Sequence, residues 1–144
     1  MLANLLVATA MVSITVLFHF WGLVSLTKMM GRHGARLRPH ESKAGSAILL
    51  LLVVFGVFAL HTSEIWLYAV IYRVLGETSG FEEALYFSTA TFAALGYGDV
   101  VLSTQWRLLS AIEGANGVIL FAWSTAFLLS VTSRMKSFEH HWLN

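Results

Sequence analysis

The sequence predicts an all-α membrane protein: three transmembrane helices and, before the last of them, a short re-entrant helix that continues into an extended segment. Three observations predict it. Of 144 residues, 57% are hydrophobic and 12% are charged, with a mean hydropathy of +0.71; soluble domains carry roughly 25% charged residues. Three apolar stretches each reach the ~20 residues needed to cross a hydrocarbon core. Between the second and third lies a helix-forming stretch of roughly 13 residues, ~20 Å long and too short to span, which runs into Gly96-Tyr97-Gly98. Cysteine is absent, which excludes disulfides and thiol chemistry. The single proline, Pro39, lies outside the apolar stretches, so no span should carry a proline kink.

The first span is read from Leu2 to Leu26. No basic segment precedes it and no small-residue cleavage site follows it, which marks a retained helix rather than a signal peptide. His19 within it is read either as satisfied by a neighbouring helix or as a proton-sensing group. One reading of the whole helix is lipid-facing bulk. From Lys28 to Lys43 a polar loop carries Lys28, Arg32, Arg36, Arg38 and Lys43 against Glu41, and Gly31, Gly34 and Pro39 discourage a continuous helix. A short basic loop marks the cytoplasmic side. No aromatic residues interleave the charges, so no nucleic-acid partner is expected; attraction to anionic lipid head groups is.

The second span runs from Gly45 to roughly Tyr72 and is free of charge from Ala47 to Leu60. His61 lies ~24 Å along it at ~1.5 Å per residue, near the outer interface. Trp66, Tyr68 and Tyr72 then read as an outer aromatic belt. His61 and Glu64, three apart, share a helical face. A metal would need a third ligand, which the sequence does not make evident, so a hydrogen-bonded pair is expected. Gly76 to Gly80 is an outer turn in which Thr78 or Ser79 caps a helix over Phe81 to about Ala93, with Glu82 and Glu83 favourable in its first turn. Irregular backbone at membrane depth is tolerated only in protein or lining water, so this helix and the glycine run read as a re-entrant loop. Arg107 to about Val131 is the last span, with Trp106 as its outer anchor; Arg134 and Lys136 follow it. The concentration of Lys and Arg in the 28–44 loop and the 134–144 tail places the amino terminus outside and the carboxyl terminus inside. The segments are 1–27 (first span), 28–44 (basic loop), 45–75 (second span), 76–106 (turn, short helix and glycine segment), 107–133 (third span) and 134–144 (cytoplasmic tail).

In Ala94-Leu95-Gly96-Tyr97-Gly98-Asp99, glycine alternates with larger residues and permits backbone angles that others resist. Such a segment can turn successive carbonyls to one side, and four copies around an axis would form rings of oxygens that replace a cation's water shell. Thr91 through Asp99 resembles the pore loop of potassium channels, usually Thr-Val-Gly-Tyr-Gly-Asp; the Gly-Tyr-Gly-Asp part matches as it stands. The resemblance covers about Ala47 to Ser133, leaving the first span outside. It implies an outer helix, a pore helix, an extended selectivity filter and an inner helix, and a homotetrameric pore, because one filter segment per chain needs four copies. The implied ion ligands are the carbonyls of Ala94, Leu95, Gly96 and Tyr97, with Gly98 completing the filter and Thr91, Tyr86 and Asp99 supporting it. The implied permeant ion is K+, with no other cofactor.

Two departures stand out. The family usually has threonines where this chain has Ala93 and Ala94, so the innermost site loses its hydroxyl ligand. An aromatic pair, often tryptophans, is Tyr86-Phe87 here; Tyr86 can hydrogen-bond toward the filter and Phe87 can only pack. Glu77, Glu82, Glu83 and Asp99 would make the outer mouth acidic. In the last helix Gly117 and Gly114 are candidate hinges, close helix packing being the alternative, and Val118, Phe121 and Thr125 share a stripe that would line a cavity. Glu113 lies ~9 Å into the last span. It is read as a structural hydrogen bond behind the filter or as a titratable gating element, and it points ~80° away from Phe121 at ~100° per residue.

These readings give a passive, potassium-selective channel of a plasma membrane (the inner membrane if bacterial), not an enzyme, since no nucleophile–base pair or metal triad is in register. The first span has no arginine ladder for voltage sensing. The rivals are a weakly selective cation channel and a non-conducting accessory protein that keeps the fold.

Overall fold

The computed structural model describes residues 1–37 and 43–134. The described chain is all helix and connecting segment: α1 (Leu2–Leu37), α2 (Lys43–Val74), α3 (Phe81–Phe92) and α4 (Arg107–Arg134). α1, α2 and α4 contain apolar spans of 31, 31 and 27 residues, each long enough to cross a membrane, whereas α3 has 12 residues and is not. The protein is thus an all-α, multi-pass membrane protein with three transmembrane helices.

α1 does not end where the basic loop was expected. It runs past Lys28 and through Gly31 and Gly34 to Leu37. Extending an existing helix is cheap compared with starting one. Gly31 takes no left-handed cap conformation, and its penalty of about 1 kcal/mol relative to alanine is set against flanking Lys, Met, Arg and Ala, all good helix formers. Arg38, Pro39 and Glu41 of the expected loop, and Lys136 of the tail, lie outside the described residues.

Packing divides the chain into two compact units. One takes Met1–His19 and His61–Phe121; the other takes Phe20–Leu60 and α4 from Ala122 on. In the first, α1 presents a buried stripe at Asn4, Ala8, Met11, Thr15 and His19, spaced to lie on one helical face. The core is completed by Tyr68, Ala69 and Tyr72 of α2, Ala84, Phe87 and Phe92 of α3, and Leu109 and Leu120 of α4. The expected aromatic belt is therefore only partly a belt. Trp66 is half exposed, but Tyr68 and Tyr72 are fully buried, because their hydroxyls find partners on α4 and an aromatic with a satisfied polar tip packs well inside.

In the second unit, leucines of α1 and α2 close on glycines of the other helix. A Cβ at Gly22 would stand 2.4 Å from the end of Leu60, and one at Gly56 would stand 2.3 Å from the end of Leu26. Small residues at such crossings bring membrane helices close. Leu49, Val53 and Val131 form a further buried cluster there.

Candidate functional site

α3 begins at Gly80 in extended conformation, without a side-chain cap. Neither Thr78 nor Ser79 caps it, contrary to expectation. Glu83 reaches back instead, accepting from the Ser79 amide at 2.6 Å and the Ser79 hydroxyl at 2.7 Å. Those two bonds hold the Glu83 carboxyl below its ordinary value. Glu82 and Glu83 do occupy the first turn, where the helix dipole favours them.

The helix ends in a Schellman motif. The Ala94 amide donates to the Thr91 carbonyl at 2.9 Å, and the Leu95 amide donates to the Ala90 carbonyl at 2.8 Å. The motif needs a left-handed residue after the cap, normally glycine; here it is Ala94, at φ 55°, the one non-glycine with positive φ among the described residues. Gly96 (φ 59°) and Gly98 (φ 79°) follow, while Leu95 and Tyr97 between them keep negative φ. The sign of φ thus alternates from Ala94 to Gly98. Every residue from Ala93 to Asp99 is exposed in the single chain. Asp99 is tied back to α3: the Tyr86 hydroxyl donates to its carboxylate at 2.7 Å and holds that carboxyl below its ordinary value. Glu77 accepts from the amide and hydroxyl of Ser103 at 2.7 and 2.9 Å, closing the return toward α4. Two of the acidic residues assigned to the mouth, Glu77 and Glu83, thus hold turns together.

Buried polar contacts join all four helices. Glu113 of α4 is fully buried and accepts from the Tyr72 hydroxyl; the Ser88 hydroxyl lies 2.5 Å from its other oxygen. Asn116 donates to Thr15 of α1 at 2.8 Å and to the Tyr68 hydroxyl at 3.2 Å. Asn4 donates to the Gln105 carbonyl at 2.5 Å. Glu64, fully buried, has Nδ1 of His19 2.8 Å from one oxygen and Nδ1 of His61 2.9 Å from the other.

The third member that His61 and Glu64 lacked in the sequence is thus His19, and α1 is not lipid-facing bulk on this face. Sequence reasoning missed Asn4, Thr15, Asn116 and Ser88. The signal for the first two was the spacing of Asn4, Ala8, Met11, Thr15 and His19, a stripe of small and polar residues in an otherwise apolar helix.

Gly117 meets α3 closely: a Cβ there would stand 2.1 Å from the Phe92 carbonyl oxygen, and one at Gly114 would stand 3.3 Å from that of Thr91. This close approach is what the packing reading of Gly117 requires. Phe87 is buried edge-on to Tyr72 with ring centroids 5.1 Å apart. Val118, Phe121 and Thr125 are exposed in the single chain.

Residues 47–134 match the model of a family described as ion channel. That match covers most of the chain, including the short helix, the glycine segment and the last span. The chain belongs to this ion-channel family, a family of transport proteins rather than catalysts. It is 29% identical over 119 residues to the uncharacterized membrane protein YdjJ of Bacillus subtilis (strain 168), covering 78% of this chain and 34% of the relative. The chain thus spans about a third of that relative's length. No solved structure matches.

Proposed function

We propose that the chain is the subunit of a homotetrameric, potassium-selective channel, with α3 as re-entrant pore helix and Ala94 to Gly98 as the selectivity filter. The observation that carries the reading is the alternating sign of φ along Ala94-Leu95-Gly96-Tyr97-Gly98 in an exposed segment. In this reading alternation would gather the carbonyls of Ala94, Leu95, Gly96 and Tyr97 on one side, and a ring of such oxygens substitutes for the hydration shell of K+. One chain supplies one segment, and irregular backbone at membrane depth must be covered by protein or line water. Four chains around an axis meet both needs. The exposed Val118, Phe121 and Thr125 of α4 would then face the inner cavity, and Asp99 the outer mouth. The basic residues after Lys28 lie on the cytoplasmic side in this reading, which sets the amino terminus outside, in a plasma or bacterial inner membrane.

Potassium flux into liposomes containing the purified protein, against sodium at equal gradient, tests this reading. Selective potassium uptake supports it, and a tetramer with no cation flux favours the non-conducting reading. A weakly selective cation channel is the second reading, favoured by one observation: Ala94 contributes no hydroxyl oxygen at the inner end of the segment.

A further inference from the structure

The geometry points to His19, His61 and Glu64 as a binding site for a divalent transition-metal ion of the zinc class, pinning the first helix to the second. Each residue offers one ligand atom, and the three atoms lie within 4.8 Å of one another. A tetrahedral ion with bonds of about 2.0–2.1 Å holds its ligands roughly 3.3 Å apart. The Nδ1 atoms of His19 and His61 already stand 2.8 and 2.9 Å from the Glu64 oxygens, so small side-chain movements admit the ion. Two imidazoles and a carboxylate suit zinc and its neighbours, whereas magnesium and calcium require oxygen ligands. Three protein ligands leave a fourth position for water or another donor.

The surroundings favour a fixed site. His19 and Glu64 are wholly buried, and His61 nearly so. The two imidazoles lie 5.3 Å apart between ring centroids, and His61 packs against Phe121 at 4.5 Å and Phe92 at 6.0 Å. Ligands held by packing lose little freedom on binding. Because His19 comes from α1 and the other two from α2, binding free energy becomes stability of the α1–α2 pairing. None of the three residues belongs to the glycine segment, so the inference holds whether or not the chain conducts.

The test uses the full chain in detergent with His33, His40, His140 and His141 replaced by asparagine, which removes every histidine outside the cluster. Co2+ is titrated alone. The expected result is one Co2+ per chain, with the visible absorption of a four- or five-coordinate ion and displacement by Zn2+. His19→Ala should weaken binding by more than the roughly 10–100-fold typical of losing an outer-shell partner. Should His19→Ala misfold, Glu64→Gln keeps the side chain's shape and an oxygen, and should show the same loss. Absence of stoichiometric Co2+ in the parent, or undiminished binding in a folded variant, overturns the site.

Discussion

Ala94 carries, with a side chain, the left-handed backbone angle that Gly96 and Gly98 carry without one. That conformation costs a non-glycine residue about 1–2 kcal/mol, and such strain persists where surrounding structure enforces it. Here the two Schellman hydrogen bonds enforce it. Ala94→Gly should therefore stabilise the fold by about 0.5–1 kcal/mol per chain after the entropy of an added glycine is subtracted, read as a higher thermal midpoint in detergent. Ala94→Thr places a β-branched residue at positive φ and should lower that midpoint, even though it adds a hydroxyl where the proposed filter lacks one. A midpoint that falls for Ala94→Gly contradicts the left-handed assignment. Five residues on, the Tyr86 hydroxyl lowers the Asp99 carboxyl. A carboxyl lowered in the folded state contributes stability above its unfolded pKa, and that contribution is lost as pH falls through the folded value. Tyr86→Phe should return Asp99 toward its ordinary value, so that its protonation, followed by carboxyl NMR, begins at higher pH than in the parent. Superimposable titrations would remove Tyr86 as the cause.

Between elements, the contact of α4 with the end of α3 separates two explanations of Gly117. A hinge would tolerate alanine structurally and lose motion. The geometry instead puts a new Cβ 2.1 Å from the backbone oxygen of Phe92, which cannot rotate away, whereas a Cβ at Gly22 would meet the side chain of Leu60 and no backbone atom among its three nearest neighbours. Overpacking costs typically 1–3 kcal/mol, and alanine returns about 1 kcal/mol of helix propensity. Gly117→Ala should thus destabilise the fold and Gly22→Ala should be close to neutral, as measured by thermal unfolding side by side. Equal effects at both positions would restore the hinge reading. The spans and the short helix were legible in the sequence because apolar length and the turn at Gly76 to Gly80 are local signals. The extension of α1 to Leu37 was not, since glycines in a helix look the same as glycines in a loop until capping is seen. His19 was visible as a residue but not as a partner of Glu64, because 45 positions separate them and only packing of α1 on α2 brings them together.

On the scale of the whole molecule, the Ala93–Asp99 segment is exposed in the single chain, and the proposed tetramer would cover it. The proposed orientation, amino terminus outside, has a direct test: a cysteine at Ser79 should react with an impermeant reagent on intact cells and one at Ser42 should not, and the reverse pattern would invert the topology. The glycine segment's part in the proposed assembly was legible in Gly96-Tyr97-Gly98-Asp99, whereas the left-handed turn at Ala94 was not, because alanine gives no sign of positive φ. The most direct test of the central claim is the reversal potential of the reconstituted protein with potassium on one side and sodium on the other, for the parent and for Gly96→Ala. Gly96 sits at φ 59°, so alanine there adds about 1–2 kcal/mol of strain per chain, or about 4–8 kcal/mol over four, enough to collapse a filter. The account predicts a potential near that of potassium for the parent and loss of the current in a Gly96→Ala assembly that still forms. A parent that does not distinguish the two ions, or normal selective current through Gly96→Ala, would contradict it.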